Sequence, residues 1–211
     1  VANVNAHDAK KQRESVQAST DRIDLMGIAA MLLNCRGNSC PAQSGIYRNL
    51  RLLVRHRRKL VQMLTEVKNR VHGIVDELFP GFLKEQNTGI VPFTQSSLYL
   101  MEDRFSPKQI QRRRRQKLVE VLKRFGTSKA EQTAAKLQQY AAKVLQAPVE
   151  YVDTMQLSLS QHVKHIRCLK ESIAQMEKEI ALNLAQTQGA FLTSVRGIGL
   201  VLAAGVTAEI G

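Results

Sequence analysis

With 211 residues the chain is long enough for one or two domains and a real core. Its 44% apolar content argues against wholesale disorder, and the lack of Trp with only 5% aromatics argues against a large β-sandwich or a ring-walled pocket. The net charge of +13 lies in two segments, residues 46–72 with eight Lys/Arg against one acid and residues 101–125 with nine against three. Charge this concentrated is the footprint of a nucleic-acid partner. An acidic membrane surface is the competing reading, disfavoured because the basic helices lack a broad apolar face. No apolar run approaches the ~20 residues of a membrane span, and no signal peptide opens the chain. A cytoplasmic, nucleoid-associated protein with no membrane partner is expected. The start at Val1 without Met and the stop at Gly211 are those expected of a fragment or a trimmed chain.

In chain order, residues 1–5 read as the end of a strand and Ala9–Arg13 as a short helix. Ser19 or Thr20 is placed to cap a helix through Leu33, with an apolar stripe at Ile23, Met26, Ala30 and Leu33. Residues 34–45, rich in Gly, Pro, Ser and Asn, form a loop and a domain boundary. A seam then steps by fours and threes through Ile46, Leu50, Leu53, Arg57, Leu60, Leu64, Val67, Val71, Ile74 and Leu78. It predicts a rod of roughly 50 Å, ended by Pro80-Gly81. A second seam runs through Val152, Met155, Leu159, His162, Ile166, Leu169, Ile173, Met176, Ile180 and Leu184. Each seam is broken once by a polar residue. The simplest burial is an antiparallel hairpin with residues 82–150 looping out at its tip; dimerisation, or three or more helices at one contact, also fits.

Within the insert, Ser106-Pro107 opens a helix expected to run through Gln109–Phe125, carrying Arg112, Arg113, Arg114 and Arg115 and then Lys117. Four consecutive Arg on a helix cover every face and must meet solvent or phosphate. Gly126 stops it. Ser128-Lys129-Ala130-Glu131 reads as a capping box for a helix to about Gln146, ended by Ala147-Pro148. Residues 84–104 are poorly patterned and read as loop.

Two constellations could carry chemistry. Asp21 and Asp24 stand at i, i+3, near enough on a helix to share a divalent cation, although acids in a first turn are also favoured by the macrodipole alone. Val195-Arg196-Gly197-Ile198-Gly199 before an apolar helix fits a helix-hairpin-helix, whose amides at Gly197 and Gly199 can bind phosphate; a tight helix–helix turn is the plainer reading. The basic face of the first rod, with Arg48, Arg51, Arg55, Arg58, Lys59, Lys68 and Arg70, could join the 112–115 cluster in clamping a backbone, or remain a solvated face. Arg57 either snorkels from the seam or pairs across it. Cys35, Cys40 and Cys168 form no disulfide framework and read as structural thiols.

Thr20-Asp21-Arg22-Ile23-Asp24, followed by Ile28-Ala29, resembles the end of the catalytic domain in the DEDD insertion-sequence transposases of the IS-one-ten family. Tyr47 through Val61, then Thr65, Lys68-Asn69-Arg70 and His72, resemble that family's next conserved stretch. Ser194-Val-Arg-Gly197-Ile-Gly199 through Ala208-Glu209-Ile-Gly211 is similar to the start of its C-terminal domain. Leu25 stands where the family usually has Ala, and Val195-Arg196 replaces Ile-Pro.

The resemblance implies a mainly α chain in three parts. Residues 1–44 would end an RNase H-like (RuvC-like) α/β domain. Residues 45–189 would form a coiled-coil domain, which the two seams read as an elongated antiparallel hairpin with the basic helical insert 82–150, a segment that matches no motif of the family. Residues 190–211 would begin a helix-hairpin-helix-like transposase domain. It further implies Mg²⁺-dependent strand cleavage and exchange, guided by a structured non-coding RNA, in a homo-oligomer on DNA. Asp21 and Asp24 match the third and fourth acids of the metal site. The first Asp and the Glu would precede Val1 and a nucleophilic Ser would follow Gly211, so the chain alone is expected to be inactive and mainly to bind nucleic acid and drive assembly. The rival readings are a non-enzymatic coiled-coil protein that binds RNA or DNA, and an inactive remnant of a mobile element.

Overall fold

The computed structural model describes residues 2–3, 21–34, 38–39, 45–102, 105–145 and 152–210. Two short strands, β1 (Ala2–Asn3) and β2 (Asn38–Ser39), pair antiparallel, with Ala2 opposite Ser39. Between them lies helix α1 (Asp21–Leu33). Strand character at residues 1–5 thus survives at Ala2–Asn3, whereas the Ala9–Arg13 helix and the Ser19/Thr20 cap fall outside the described residues. Of the apolar stripe expected on α1, Met26 and Leu33 are exposed and Ala30 is half-buried, and the side chain of Ile23 lies outside the described residues; among the described positions of α1 the buried ones are Gly27 and Met31. α1 is apolar on nearly every side, so apolar spacing could not select a face.

Two long helices form the frame, α2 (Gly45–Leu78) and α8 (Val152–Leu184). They run antiparallel. Leu50 packs with Ile180 and Leu184 near one end, Arg57 meets Glu177, and Val67 and Val71 share a core with Val163 and Ile166. All ten positions of each expected seam are buried or half-buried, so seam spacing located the contact correctly. α2 ends where Pro80 removes an amide donor and Gly81 takes φ +73; a Cβ at Gly81 would run into the Tyr140 hydroxyl.

The insert does not merely loop out. It holds α3 (Glu85–Thr88), α4 (Gln95–Glu102), α5 (Pro107–Arg112), α6 (Arg115–Arg124) and α7 (Ala130–Lys143). These fold onto the end of the helix pair around fully buried Phe79, Phe82 and Phe105, with ring centroids 4.7–5.6 Å apart. Leu98, Ile110, Leu118, Leu122 and Leu137 join the same core as Val71 and Val75 of α2 and Leu159 and Val163 of α8. Insert and frame therefore bury one continuous apolar cluster.

Three local expectations are corrected. Residues 84–104 are not loop throughout. α4 forms because the Thr94 carbonyl accepts from Leu98 N at 3.0 Å while its hydroxyl bonds Ser96 Oγ at 3.0 Å. Ser96 and Ser97 are buried there, which hid the apolar spacing. The helix expected over Gln109–Phe125 breaks at Arg113 and Arg114, whose ψ values are 133° and 131°. The Arg113 carbonyl leaves the helical ladder to accept from Gln138 Nε2 at 2.8 Å, and the break relieves four adjacent like charges. The Ser128–Glu131 capping box is absent: α7 begins after Lys129 with no side-chain cap, and Glu131 instead pairs with Lys123 at 3.2 Å. That helix stops at Lys143, short of Gln146, which lies outside the described residues.

At the far end of the frame a 3-10 segment (Gln188–Ser194) and α9 (Leu200–Ile210) close the chain. Ala203, Ala204 and Ala208 of α9 are buried with Leu50, Ile180 and Leu184, so three helices meet at this end. Small residues allow that close approach. Gly189 lies where any Cβ would run into Thr207.

Candidate nucleic-acid interface

The α2 seam and its basic face are interleaved on one helix, so burial sorts the cations. Arg57, on the seam, donates from Nε and Nη2 to Glu177 Oε1 at 3.0 and 2.8 Å. It pairs across the interface instead of snorkelling. Arg51 and Arg55 both reach Glu209 of α9, at 3.1 and 3.2 Å. Arg51 is half-buried, and its Nε has no acceptor among the described residues. Arg48, Arg58, Lys59 and Arg70 are exposed and form no ion pair among the described residues.

Lys68 lies on the other flank of the seam. Its Nζ sits 5.3 Å from the Phe93 ring centroid, and His72 meets the same ring edge-on at 5.1 Å. Lys170 Nζ donates to the Phe93 carbonyl at 2.7 Å. Burial, and then the neighbouring Lys68 charge, hold the Lys170 ammonium below its usual pKa. Phe93 takes φ +57, a left-handed conformation uncommon for an aromatic residue, held by these three contacts. Opposite, His162 is held below the usual imidazole value by burial, then by Arg70 and His165.

In the insert, Arg112, Arg114, Arg115 and Lys117 are exposed around the α5–α6 break, without an ion pair among the described residues; Arg113 is half-buried and engaged. The break splays the four arginines off a single helix. Gly197 (φ +94) and Gly199 are exposed in the turn between the 3-10 segment and α9, where Ile198 N donates to Val195 O at 3.0 Å and Ala203 N to Gly199 O at 2.9 Å. A sharp glycine turn therefore leads directly into a helix N-terminus, which the sequence pattern anticipated.

Asp21 and Asp24 fall in the first turn of α1; their side chains lie outside the described residues. Among the described residues no group of three or more His, Cys, Asp or Glu could hold a metal. Cys168 is free and exposed, and Cys35 and Cys40 lie outside the described residues. Sequence reasoning missed Glu177 and Glu209, the acids that occupy three of the rod's arginines. Glu209 is 154 residues from Arg55, and no local pattern links them.

The long basic hairpin and the exposed glycine turn define a helical scaffold with cationic surfaces at separate sites. Residues 1–80 match the family model DEDD_Tnp_IS110, described as Transposase. Over that segment the chain is similar to the IS110-type DEDD transposases. Transposases act on DNA, and DEDD members are typically metal-dependent. No curated protein and no solved structure matches the chain. No helix among the described residues is long and apolar enough to cross a membrane.

Proposed function

We propose that this chain is the nucleic-acid-holding and assembly portion of a DNA recombinase that works through metal-assisted strand cleavage and exchange, guided by a structured non-coding RNA. The observation that carries the reading is the set of exposed cations at Arg112, Arg114, Arg115 and Lys117, which form no ion pair among the described residues, within a chain whose first 80 residues match a transposase family. Ordinary surfaces mix signs, and an arginine fork left without a carboxylate is suited to a phosphate. Arg48, Arg58, Lys59 and Arg70 on α2 would extend the contact along the rod, joined by Arg51 and Arg55 where phosphate displaces Glu209. The amides at Gly197 and Gly199 and the α9 N-terminus would take a further phosphate without base specificity.

In this reading residues 1–44 end an RNase H-like domain, residues 45–189 form a coiled-coil domain that mediates the homo-oligomer, and residues 190–211 begin the transposase domain. Asp21 and Asp24 share one side of α1 by helical spacing and offer the hard oxygen donors that suit Mg²⁺, as two of its four carboxylates. The metal would supply Lewis-acid stabilisation of the oxygens at the scissile phosphate. Replacing Arg112, Arg114 and Arg115 by Ala tests the reading. The slope of log Kd against log salt should flatten by roughly 0.7–0.9 for each phosphate that is no longer neutralised. An unchanged slope removes the cluster from the interface.

A further inference from the structure

Two clefts on the insert meet at one ring. The first, about 360 Å³, is lined by Tyr99 and Glu102 of α4, Arg124 of α6 and Arg167 and Lys170 of α8, with Phe125 at its edge. The second, about 500 Å³, continues from Phe125 through Gly126, Thr127 and Ser128 to Lys129 and, on α7, Lys136. Phe125 lines both. Its ring lies 5.4 Å from that of Tyr99, tilted by 48°, so the two rings touch without stacking face to face. Tyr99 is exposed. The Arg124 guanidinium lies 5.8 Å from the Phe125 centroid.

The cleft chemistry alternates in the way a strand of nucleotides does. Cations line both clefts, Arg124, Arg167 and Lys170 the first and Lys129 and Lys136 the second, where Glu85 is the acid on the wall. Arg167 is already committed to Glu102 at 2.8 Å through Nη1, and its buried Nε has no acceptor among the described residues. Glu102 is thereby neutralised. Glu171 and Gln95 remain at the wall as acceptors, suited to an exocyclic base amine. Thr133, almost fully buried beside Gly89, lines the second cleft with no side-chain hydrogen bond among the described residues. A duplex presents its phosphates outward and its bases stacked away, so it cannot offer a ring to Tyr99. An unpaired strand can, because base stacking on an aromatic side chain between basic contacts is how single strands are held without sequence readout.

We infer that the paired clefts of the insert form a groove for an unpaired nucleic-acid strand, with one base stacked on the Tyr99/Phe125 pair and flanking phosphates at Arg124 and at Lys129/Lys136. This rests on the nucleic-acid reading above and adds the strandedness and the site.

The test uses the full 211-residue chain and two fluorescein-labelled probes, a 12-nucleotide unstructured RNA and a 12-base-pair duplex, followed by anisotropy at fixed salt. Tyr99→Leu should weaken the single strand about tenfold, the size of one base stack, and leave the duplex within about twofold. Tyr99→Trp, which keeps a stacking ring, should restore single-strand binding; it keeps the test decisive if the Leu variant folds poorly by circular dichroism. Equal weakening for both probes, or none for either, overturns the groove while leaving duplex binding elsewhere intact. A polyglutamate peptide bound as tightly as the RNA, indifferent to Tyr99, would mark a general anion surface and also overturn it. If the unaltered chain binds neither probe, the nucleic-acid reading itself fails and the groove fails with it.

Discussion

Arg57 on the seam of α2 and Glu177 beside the seam of α8, 120 residues apart, are joined by two hydrogen bonds to a single carboxylate oxygen at 2.8 and 3.0 Å. Arg57 is the one polar interruption in ten seam positions of α2. A shift of one heptad would leave both charges half-buried and unpaired. The pair therefore sets register more than it adds stability.

Glu177→Ala should destabilise the fold by about 1–2 kcal/mol, more than an exposed pair and less than a fully buried one. A double-mutant cycle with Arg57→Ala, read by thermal melts, should show positive coupling between the two sites. Additive effects would mean that the pair carries no register information.

Phe82 sits where the insert meets the frame. Because α2, α8 and the insert share one apolar cluster, Phe82→Ala should cost about 3–5 kcal/mol and lower a single cooperative transition. Two transitions, with only the lower one shifted, would show that the insert folds independently.

Glu209 holds Arg51 and Arg55 with all three side chains largely or partly in solvent, so its contribution to stability is small. Glu209→Gln should change the melt by less than about 1 kcal/mol. If phosphate takes the place of this carboxylate, the same variant should bind duplex DNA more tightly with a steeper salt slope. Unchanged binding would remove Arg51 and Arg55 from the interface.

His162 gives a pH dependence of defined sign. Burial, Arg70 and His165 hold its folded value below the ordinary 6.5. Between that lowered value and 6.5 the unfolded chain carries the extra proton, so stability rises with pH across the interval and falls as acid is added. His162→Gln should flatten the urea midpoint against pH over that window. A slope identical to the unaltered chain's would assign it to other groups.

The long-range frame was legible because twenty seam positions repeat one spacing over two helices, and burial of apolar surface obeys that spacing. The turn at Gly197 and the stop at Pro80-Gly81 were legible because glycine and proline act locally. The insert was not. α4 buries Ser96 and Ser97, whose hydroxyls are satisfied by Thr94, so its inward face does not look apolar. The α5–α6 break depends on Gln138, far along the chain, drawing the Arg113 carbonyl out of the helix. At the candidate interface the cations were visible in the sequence, but which ones are already occupied depends on Glu177 and Glu209, which only the tertiary fold brings near. The same is true of Tyr99 and Phe125, which sit 26 positions apart in the sequence.

The proposed function depends on the exposed cations holding nucleic acid. The most direct test titrates binding of a structured RNA and a duplex DNA against salt, with and without Mg²⁺. Tight binding at low salt is expected, with a slope corresponding to several phosphate contacts and unaffected by Mg²⁺ beyond its ionic strength. Absent binding at low salt, or binding indifferent to salt, would contradict it.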